Sequence, residues 1–205
     1  MKIAVIGTGN VGEALAAKWA HKGHEVNLGV RDINNFKGKE LLKNPHTSAM
    51  AVQDAVRNSE AILIATPAPT AIEVVKSLGD TTGKMIIDSM NIVMGKGPQG
   101  FTNTTDAILQ NTQTKDVVKC FNTTGFNNMA NTVYGNSRLD MFVAGDSVKG
   151  REIAITLAKD AGFEECYSIG GNDKFTLMEE FAWFWINLAM FQGQGRDFGF
   201  KLLKR

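Results

Sequence analysis

Residues 3–12 of the chain read IAVIGTGNVG, a short apolar run that leads directly into a glycine-rich turn and then into a helical pattern. In dinucleotide-binding domains the first glycine of such a motif allows a tight turn, the second lets the pyrophosphate approach the backbone, and the third lets helix and strand pack closely. Gly7, Gly9 and Gly12 occupy these positions. Amides at the helix N-terminus then hold the phosphates, aided by the helix dipole. The stretch predicts a dinucleotide site formed by Gly7, Thr8, Gly9, Asn10, Val11 and Gly12.

The first half of the chain alternates short β-branched runs with longer helical patterns, a rhythm typical of βαβ units. Apolar runs without polar alternation, such as Ala61–Ala65, indicate central strands that helices cover on both faces. The sequence therefore predicts an α/β fold of the Rossmann type, a doubly wound and mostly parallel sheet with a short C-terminal helical extension. A mixed helical stretch is expected before Ala61. The other elements predicted in this half are Ile3–Ile6, Gly12–Lys22, Glu25–Leu28 and Met85–Asp88.

The second half begins with a glycine-containing loop from Asn91 towards Gln113, and a loop of this length in a compact domain is often functional. A strongly apolar helix is predicted over Asp173–Gln192, and a helix this apolar is expected to be buried in its own core or against another subunit. We divide the chain into a dinucleotide-binding domain, residues 1–170, and an extension, residues 171–205, packed on it or on a dimer partner. The remaining predicted elements are a short helix at Thr105–Leu109, strands at Val117–Phe121, Met141–Ala144 and Glu165–Ile169, and a helix at Val148–Ala161.

Composition excludes several classes of partner. The formal net charge is +1, from 22 basic and 21 acidic residues, so the chain lacks the strong field that nucleic acid or an anionic membrane would select. No segment approaches the roughly 20 apolar residues of a membrane span. Cys120 and Cys166 are too far apart in sequence for metal-ligand spacing and are expected to be half-buried free thiols. Neither nucleic acid, membrane nor metal is predicted as a partner, and a reducing cytosol is the expected location.

The choice of cofactor depends on the residues after the second strand, where NAD-binding domains place an acid about 20 residues beyond the glycine motif. Val30 lies near that position, and Arg31 follows it. A guanidinium can clamp a 2′-phosphate with two hydrogen bonds, which favours NADPH over NADH. Lys37 could add a second charge. Asp32 argues the other way, because it could bind the ribose, or it could simply pair with Arg31.

Two further segments are expected to line the same crevice, because ligands of open α/β sheets bind outside the carboxyl ends of the strands. The segment Ala65, Thr66 and Pro67 follows one strand, and its backbone and small side chains can lie along the cofactor without obstructing it. Asn91 follows another strand and could bond the nicotinamide ribose or carboxamide, or merely cap the loop. We count these four residues among the predicted cofactor contacts.

Several segments together resemble one family, the NADPH-dependent reductases of the deazaflavin coenzyme F420 (F420:NADP oxidoreductases), with the related reductase domain of the STEAP metalloreductases. The resemblance runs nearly end to end and includes motifs more specific than the glycine turn. These segments are GTGNVGEAL at 7–15, GVRD at 29–32, VKCFNT at 118–123, MFVAGD at 141–146 and FGFKLL at 198–203.

The resemblance implies hydride transfer between NADPH and a flat flavin-like ring stacked on the nicotinamide, with Arg31 on the 2′-phosphate. Family members often carry serine or threonine where this chain has Val30, so one hydroxyl donor to the phosphate is lost. Hydride transfer between stacked rings needs orientation and exclusion of water more than a titrating group, so no general acid or base is nominated. His21, His24 and His46 are expected to be surface or packing residues. The residues implied near the acceptor are Asn122, Thr123 and Thr124.

The identity of the acceptor stays open, since F420, FMN, FAD or a quinone could take the hydride. A short relative of the β-hydroxyacid dehydrogenases or imine reductases is an alternative, although only about 35 residues follow the last predicted strand, few for the helical domain such enzymes add. A redox-sensing regulator that binds NADPH without turnover is a third interpretation. In all three, the aromatic helix would suit a homodimer interface.

Overall fold

A computed structural model describes residues 1–205 and contains one eight-stranded sheet with helices on both faces. The strand order is β10-β9-β6-β5-β4-β1-β2-β3, and every neighbouring pair is parallel except β6 and β9. The strands of this sheet are β1 Lys2–Ile6, β2 Glu25–Val30, β3 Thr47–Ala51, β4 Ala61–Ile64, β5 Met85–Asp88, β6 Val117–Cys120, β9 Met141–Ala144 and β10 Cys166–Ser168; β7 Val133–Tyr134 and β8 Ser137–Arg138 form a separate hairpin. The predicted Rossmann-type fold is confirmed.

Six of the seven α-helices lie between strands and the seventh follows the last strand; short 3-10 turns lie at Lys39–Lys43, Ala68–Thr70 and Asn172–Lys174. A π-helical turn at Asn187–Phe191 continues the last helix. The helices are α1 Asn10–His21, α2 Val52–Arg57, α3 Ala71–Ser77, α4 Thr104–Asn111, α5 Phe126–Ala130, α6 Val148–Asp160 and α7 Phe175–Ile186.

The apolar core lies on both faces of the sheet, as the unbroken apolar runs predict. Along β4, Leu63 belongs to a cluster of 27 buried residues on one face, whereas Ile62 and Ile64 belong to a cluster of 14 on the other. Because successive side chains of a strand point to opposite faces, each central strand contributes to both clusters. The sheet is therefore rigid at its centre, and its carboxyl edge is a fixed platform for the loops.

The stretch between β2 and β4 is only partly helical, which corrects the mixed helical stretch expected there. It contains the 3-10 turn, strand β3 and helix α2. Strand β3 reads TSAMA, with neither a valine nor an isoleucine, and it pairs only with β2 at the edge of the sheet. An edge strand buries little apolar surface, so its sequence carries a weak periodic signal.

Within the chain the C-terminal helix is buried on one face only, and its expected burial against another subunit stays a prediction. Phe175 and Met178 pack on Ala144 of strand β9. Leu177 and Phe184 point outward with 49% and 51% of their surface exposed. The inner face of the helix therefore packs on the sheet, and the rest of the chain leaves the outer face uncovered. No helix of the protein, α7 included, is long and apolar enough to cross a bilayer.

Both cysteines are free, as predicted, but they are fully buried rather than half-buried. They lie in strands β6 and β10, beneath the helices that cover one face of the sheet. Burial raises the pKa of the Cys120 thiol well above its ordinary value, with a smaller contribution from a hydrogen bond to Cys166. A buried thiol that resists ionisation is a poor nucleophile and a poor metal ligand.

Candidate functional site

The glycine turn has the geometry that the sequence motif predicts at its first and third positions. Gly7 adopts φ = 101°, a left-handed conformation that side chains disfavour, and a methyl group there would overlap the carbonyl oxygen of Ala65. A methyl group on Gly12 would overlap the carbonyl oxygen of Gly7. The tight turn and the close packing of α1 are therefore confirmed for these two glycines.

Gly9 differs from its neighbours because nothing surrounds its Cα on the side where a Cβ would point. A methyl group there would meet no heavy atom within 4 Å. Helix α1 begins at Asn10, and no side chain caps its N-terminus. Its first backbone hydrogen bond is donated by Glu13 N to Gly9 O at 2.8 Å. The amides of Asn10, Val11 and Gly12 thus have no intrahelical acceptor. An open cradle lined by free amides at a helix N-terminus fits a pyrophosphate.

The loop after β2 folds back against the glycine turn and carries two exposed cations. A methyl group on Gly38 would lie 3.5 Å from Thr8, so residues 31–38 border the cradle. Arg31 and Lys37 are exposed and form no ion pair with the protein. Asp32 does not pair with Arg31; its Oδ1 accepts a hydrogen bond from Asn34 N at 2.9 Å and closes a local turn. The two cations are free to meet a phosphate.

The segment after β4 lies directly beside the glycine turn. Ala65 N donates to Ile6 O at 2.8 Å, and the carbonyl oxygen of Ala65 faces Gly7. Thr66 is half-buried and its hydroxyl lies 3.4 Å from the sulfur of Met90. Pro67 is exposed. The side chains of this segment are small, and its contact with cofactor stays a prediction.

Asn91 and Asn122 form a reciprocal amide pair at the carboxyl ends of β5 and β6. Asn91 Nδ2 donates to Asn122 O at 2.8 Å, and Asn122 Nδ2 donates to Asn91 Oδ1 at 2.9 Å and to Met178 O at 3.0 Å. Asn122 is 3% exposed, and its Oδ1 is a buried acceptor without a donor in the protein. Such a group costs about 1–3 kcal/mol unless a ligand or water donates to it. Asn91 is half-buried and is the member that a ligand reaches more readily.

Thr123 and Thr124 follow Asn122 directly in the chain, but their side chains differ in exposure to solvent. Thr123 is buried, with its hydroxyl 3.6 Å from the sulfur of Met141. Thr124 is half-buried, and its Oγ1 accepts a hydrogen bond from Asn128 Nδ2 at 2.7 Å. Of the predicted acceptor-side residues, Thr124 is therefore the one whose side chain lies nearest to solvent.

The three histidines lie away from this crevice, as predicted. His21 ends α1, and His46 precedes β3 at the opposite edge of the sheet. His24 Nε2 lies 2.9 Å from Asp160 Oδ2 between two surface elements. None of them is placed to exchange a proton with a ligand in the crevice.

A buried ionic network beneath the crevice was not singled out from the sequence. Lys119 is fully buried, with its ammonium nitrogen 2.9 Å from Asp88 Oδ2 and 2.8 Å from Glu179 Oε1. The available signal was a lysine in the otherwise apolar run VVKCF, together with an aspartate that ends the apolar run MIID. A charged residue that interrupts a central strand must find a counter-ion there.

The glycine-rich segments at residues 95–100 and 193–199 border two separate cavities. One cavity of about 410 Å³ lies between Gly95, Ile92 and Trp183. The other, also about 410 Å³, lies between Gly199 and the β7–β8 hairpin. Phe198 stacks on Trp185 with ring centroids 5.4 Å apart, so its role is packing.

The crevice at the carboxyl edge thus gathers the glycine turn, the cationic loop, the segment after β4 and the amide pair. These features define a Rossmann-type dinucleotide-binding protein. Residues 2–92, a little under half of the chain, match the family described as NADP oxidoreductase coenzyme F420-dependent. This match confirms the resemblance to the F420-dependent family over residues 2–92, which contain the segments 7–15 and 29–32.

Solved structures and curated proteins agree with this class. A protein from Arthrobacter sp. FB24, provisionally named an F420-dependent NADP-reductase, is 26% identical, covers 100% of both chains and has a TM-score of 0.83. A reductive aminase from Aspergillus terreus, solved with NADPH, is 14% identical over 94% of this chain and 63% of its own, with a TM-score of 0.66, and shows the fold alone.

A glycerol-3-phosphate dehydrogenase [NAD(P)+] from Thermoanaerobacter sp. is 30% identical over 100 residues, which is 42% of this chain. The chain spans only about 30% of the length of that curated relative. The comparisons together support an NAD(P)-dependent oxidoreductase and leave the acceptor unspecified.

Replacing Gly9 or Gly12 with alanine should separate binding from folding. Gly9→Ala places a methyl group in open space, so we expect an unchanged melting temperature and NADPH and NADH binding both weakened by about tenfold or more, because the methyl obstructs the shared pyrophosphate. Gly12→Ala forces α1 away from the turn and should lower stability by about 1–3 kcal/mol. Thermal unfolding and calorimetric titration measure the two effects; a Gly9→Ala variant that binds normally would contradict the site.

Proposed function

We propose that this protein transfers a hydride between NADPH and a flat flavin-like or deazaflavin (F420) acceptor. The observation that carries the proposal is the open amide cradle at Gly9 with two unpaired cations beside it. The match of residues 2–92 to the F420-dependent family and the full-length similarity to the Arthrobacter protein support the choice of acceptor class.

In this proposal the chain binds and orients rather than exchanges protons. Amides of Asn10, Val11 and Gly12 hold the pyrophosphate, Arg31 and Lys37 hold the 2′-phosphate, and Asn91 orients the nicotinamide end. The bound cofactor supplies the hydride, a proton with two electrons that leaves the dihydronicotinamide ring for the acceptor ring. Such a transfer needs aligned rings and exclusion of water, and no titrating side chain has to act on it. Thr124 is the candidate contact for the acceptor.

Oxidation of NADPH, followed at its absorbance band with F420, FMN and FAD offered separately, tests the proposal. We expect turnover with at least one of these acceptors, and NADH run in parallel should be the poorer donor. The Gly9→Ala variant is the control for adventitious chemistry, because it should fold and lose turnover. Tight NADPH binding without reduction of any acceptor would overturn the proposal in favour of an NADPH-binding regulator.

Arg31→Ala should discriminate between the two nicotinamide cofactors. The guanidinium can form a charge-assisted bidentate pair with the 2′-phosphate, which NADH lacks. We expect NADPH affinity to fall about tenfold to a hundredfold and NADH affinity to change by less than about twofold. Arg57→Ala is the matched control, since Arg57 is an exposed arginine on α2 whose partner is Asp54. Equal losses for both cofactors would remove the NADPH assignment.

A homodimer through the outer face of α7 is part of the proposal. The exposed side chains Leu177, Phe184 and Phe191 recur every seven residues, and Trp183 lies beside Phe191 with ring centroids 5.8 Å apart. Contiguous exposed apolar side chains of this kind mark interaction surfaces. Two buried free thiols and no disulfide also suit a reducing compartment such as the cytosol.

Leu177→Asp should dissociate this dimer, because a carboxylate would then be buried in an apolar interface. Sedimentation velocity at micromolar concentration should show a dimer for the natural chain and a monomer for the variant. Val148→Asp is the control, since Val148 is an apolar residue, 59% exposed, on a different helix at the start of α6. A monomeric natural chain would contradict the proposal.

A further inference from the structure

The loop that carries Asn91 is held from below by a charged group buried in the sheet. The ammonium of Lys119 donates to Met90 O at 2.9 Å, and Asp88 Oδ1 accepts from Met90 N at 2.9 Å. Glu179 Oε2 accepts from Ile92 N at 2.8 Å. The residues on both sides of Asn91 are therefore fixed by the same three side chains.

The network also joins helices that are distant in sequence. Glu179 Oε1 accepts from Thr104 N at 2.9 Å at the start of α4, and Lys119 Nζ lies 2.9 Å from Thr104 Oγ1. Asp88 Oδ2 accepts from Thr105 Oγ1 at 2.7 Å. Strands β5 and β6, helix α4 and helix α7 thus meet at one ammonium and two carboxylates.

Stability alone does not account for such a cluster. Taking charges out of water costs several kcal/mol per ion, and well-packed apolar residues of similar volume often stabilise a fold as well or better. A charged network does fix geometry, because each of its hydrogen bonds is short and directional. What it fixes here is the backbone on either side of Asn91, which forms the amide pair with Asn122.

We propose that Lys119, Asp88 and Glu179 are positioning residues that set the orientation of the nicotinamide by holding Asn91. This inference rests on the proposed function for the identity of the ligand. Specifically, Glu179 on the C-terminal helix controls the nicotinamide end of the crevice, because its carboxylate accepts a hydrogen bond from Ile92 N. Glu179 acts through the loop and is not a ligand contact itself.

Glu179→Gln tests the inference with little change in volume. The glutamine side chain has only one acceptor oxygen. If that oxygen keeps the hydrogen bonds from Thr104 N and Lys119, the NH₂ group faces the N–H of Ile92, two donors oppose each other, and the hydrogen bond that holds the loop is lost. Two ligands report the effect: NADPH, and ADP-ribose 2′-phosphate, which has the same phosphates but no nicotinamide. We expect the variant to bind NADPH about tenfold more weakly and ADP-ribose 2′-phosphate within about twofold of the natural chain.

Thr105→Val is the matched control, because it removes the hydrogen bonds of one hydroxyl in the same buried network, to Asp88 Oδ2 at 2.7 Å and from Lys119 Nζ at 3.4 Å, without touching residues 90–92. It should lower the melting temperature and leave the affinities for both ligands within about twofold. If Glu179→Gln does not fold, Glu179→Asp replaces it; the carboxylate is kept but is one methylene shorter, so it cannot reach Ile92 N and Thr104 N together, and the same split is expected.

Equal weakening of both ligands by a folded Glu179 variant, or no weakening of either, would overturn the inference. The two proposals fail separately. If the natural chain reduces no acceptor but the ligand split is present, the positioning role stands and hydride transfer does not. If hydride transfer occurs but the Glu179 variant does not weaken NADPH binding selectively, hydride transfer stands and the positioning role does not.

Discussion

The contact between helix α1 and the turn before it leaves no room for a methyl group at residue 12, and the arrangement of the crevice depends on this contact. It fixes the direction in which the N-terminus of α1 points. Gly7 in turn lies against the carbonyl group of Ala65, so the turn packs directly on the residue that follows β4. The one glycine of the motif without a packing role, Gly9, then faces open space. Two glycines shape the turn so that the third can admit a ligand.

Much of this arrangement could be predicted from the sequence, because the central strands carry their own signal. Strands β5 and β9 fall at the predicted residues, and α6 differs by a single residue. Apolar runs covered on both faces have no other stable position in a small α/β domain. The edge strand β3 was missed for the converse reason, since exposed or half-buried residues such as Ser48 and Met50 occur equally well in an edge strand and in a loop.

The site could be predicted less completely than the fold. Residues joined to a motif, such as Gly9 and Arg31, are found by spacing along the chain. The network at Lys119 depends on Glu179, 60 residues further on, and sequence periodicity cannot pair residues across that separation. The apolar pattern of α7 likewise indicated burial without specifying which face the chain itself covers, and only the structure identifies that face. Charge pairing and exposure are properties of the assembled fold, so both had to come from the structure.

Helix α7 therefore has two faces that differ in their contacts. Its inner face carries Glu179 into the network below Asn91, and the carbonyl of Met178 accepts a bond from Asn122. Its outer face carries the exposed aromatic side chains Trp183 and Phe184. A rigid helix cannot move one face without moving the other, and the hydrogen bonds of its inner face end at the amide pair. A molecule that packed on the outer face would therefore contact the same helix whose inner face holds the backbone beside Asn91.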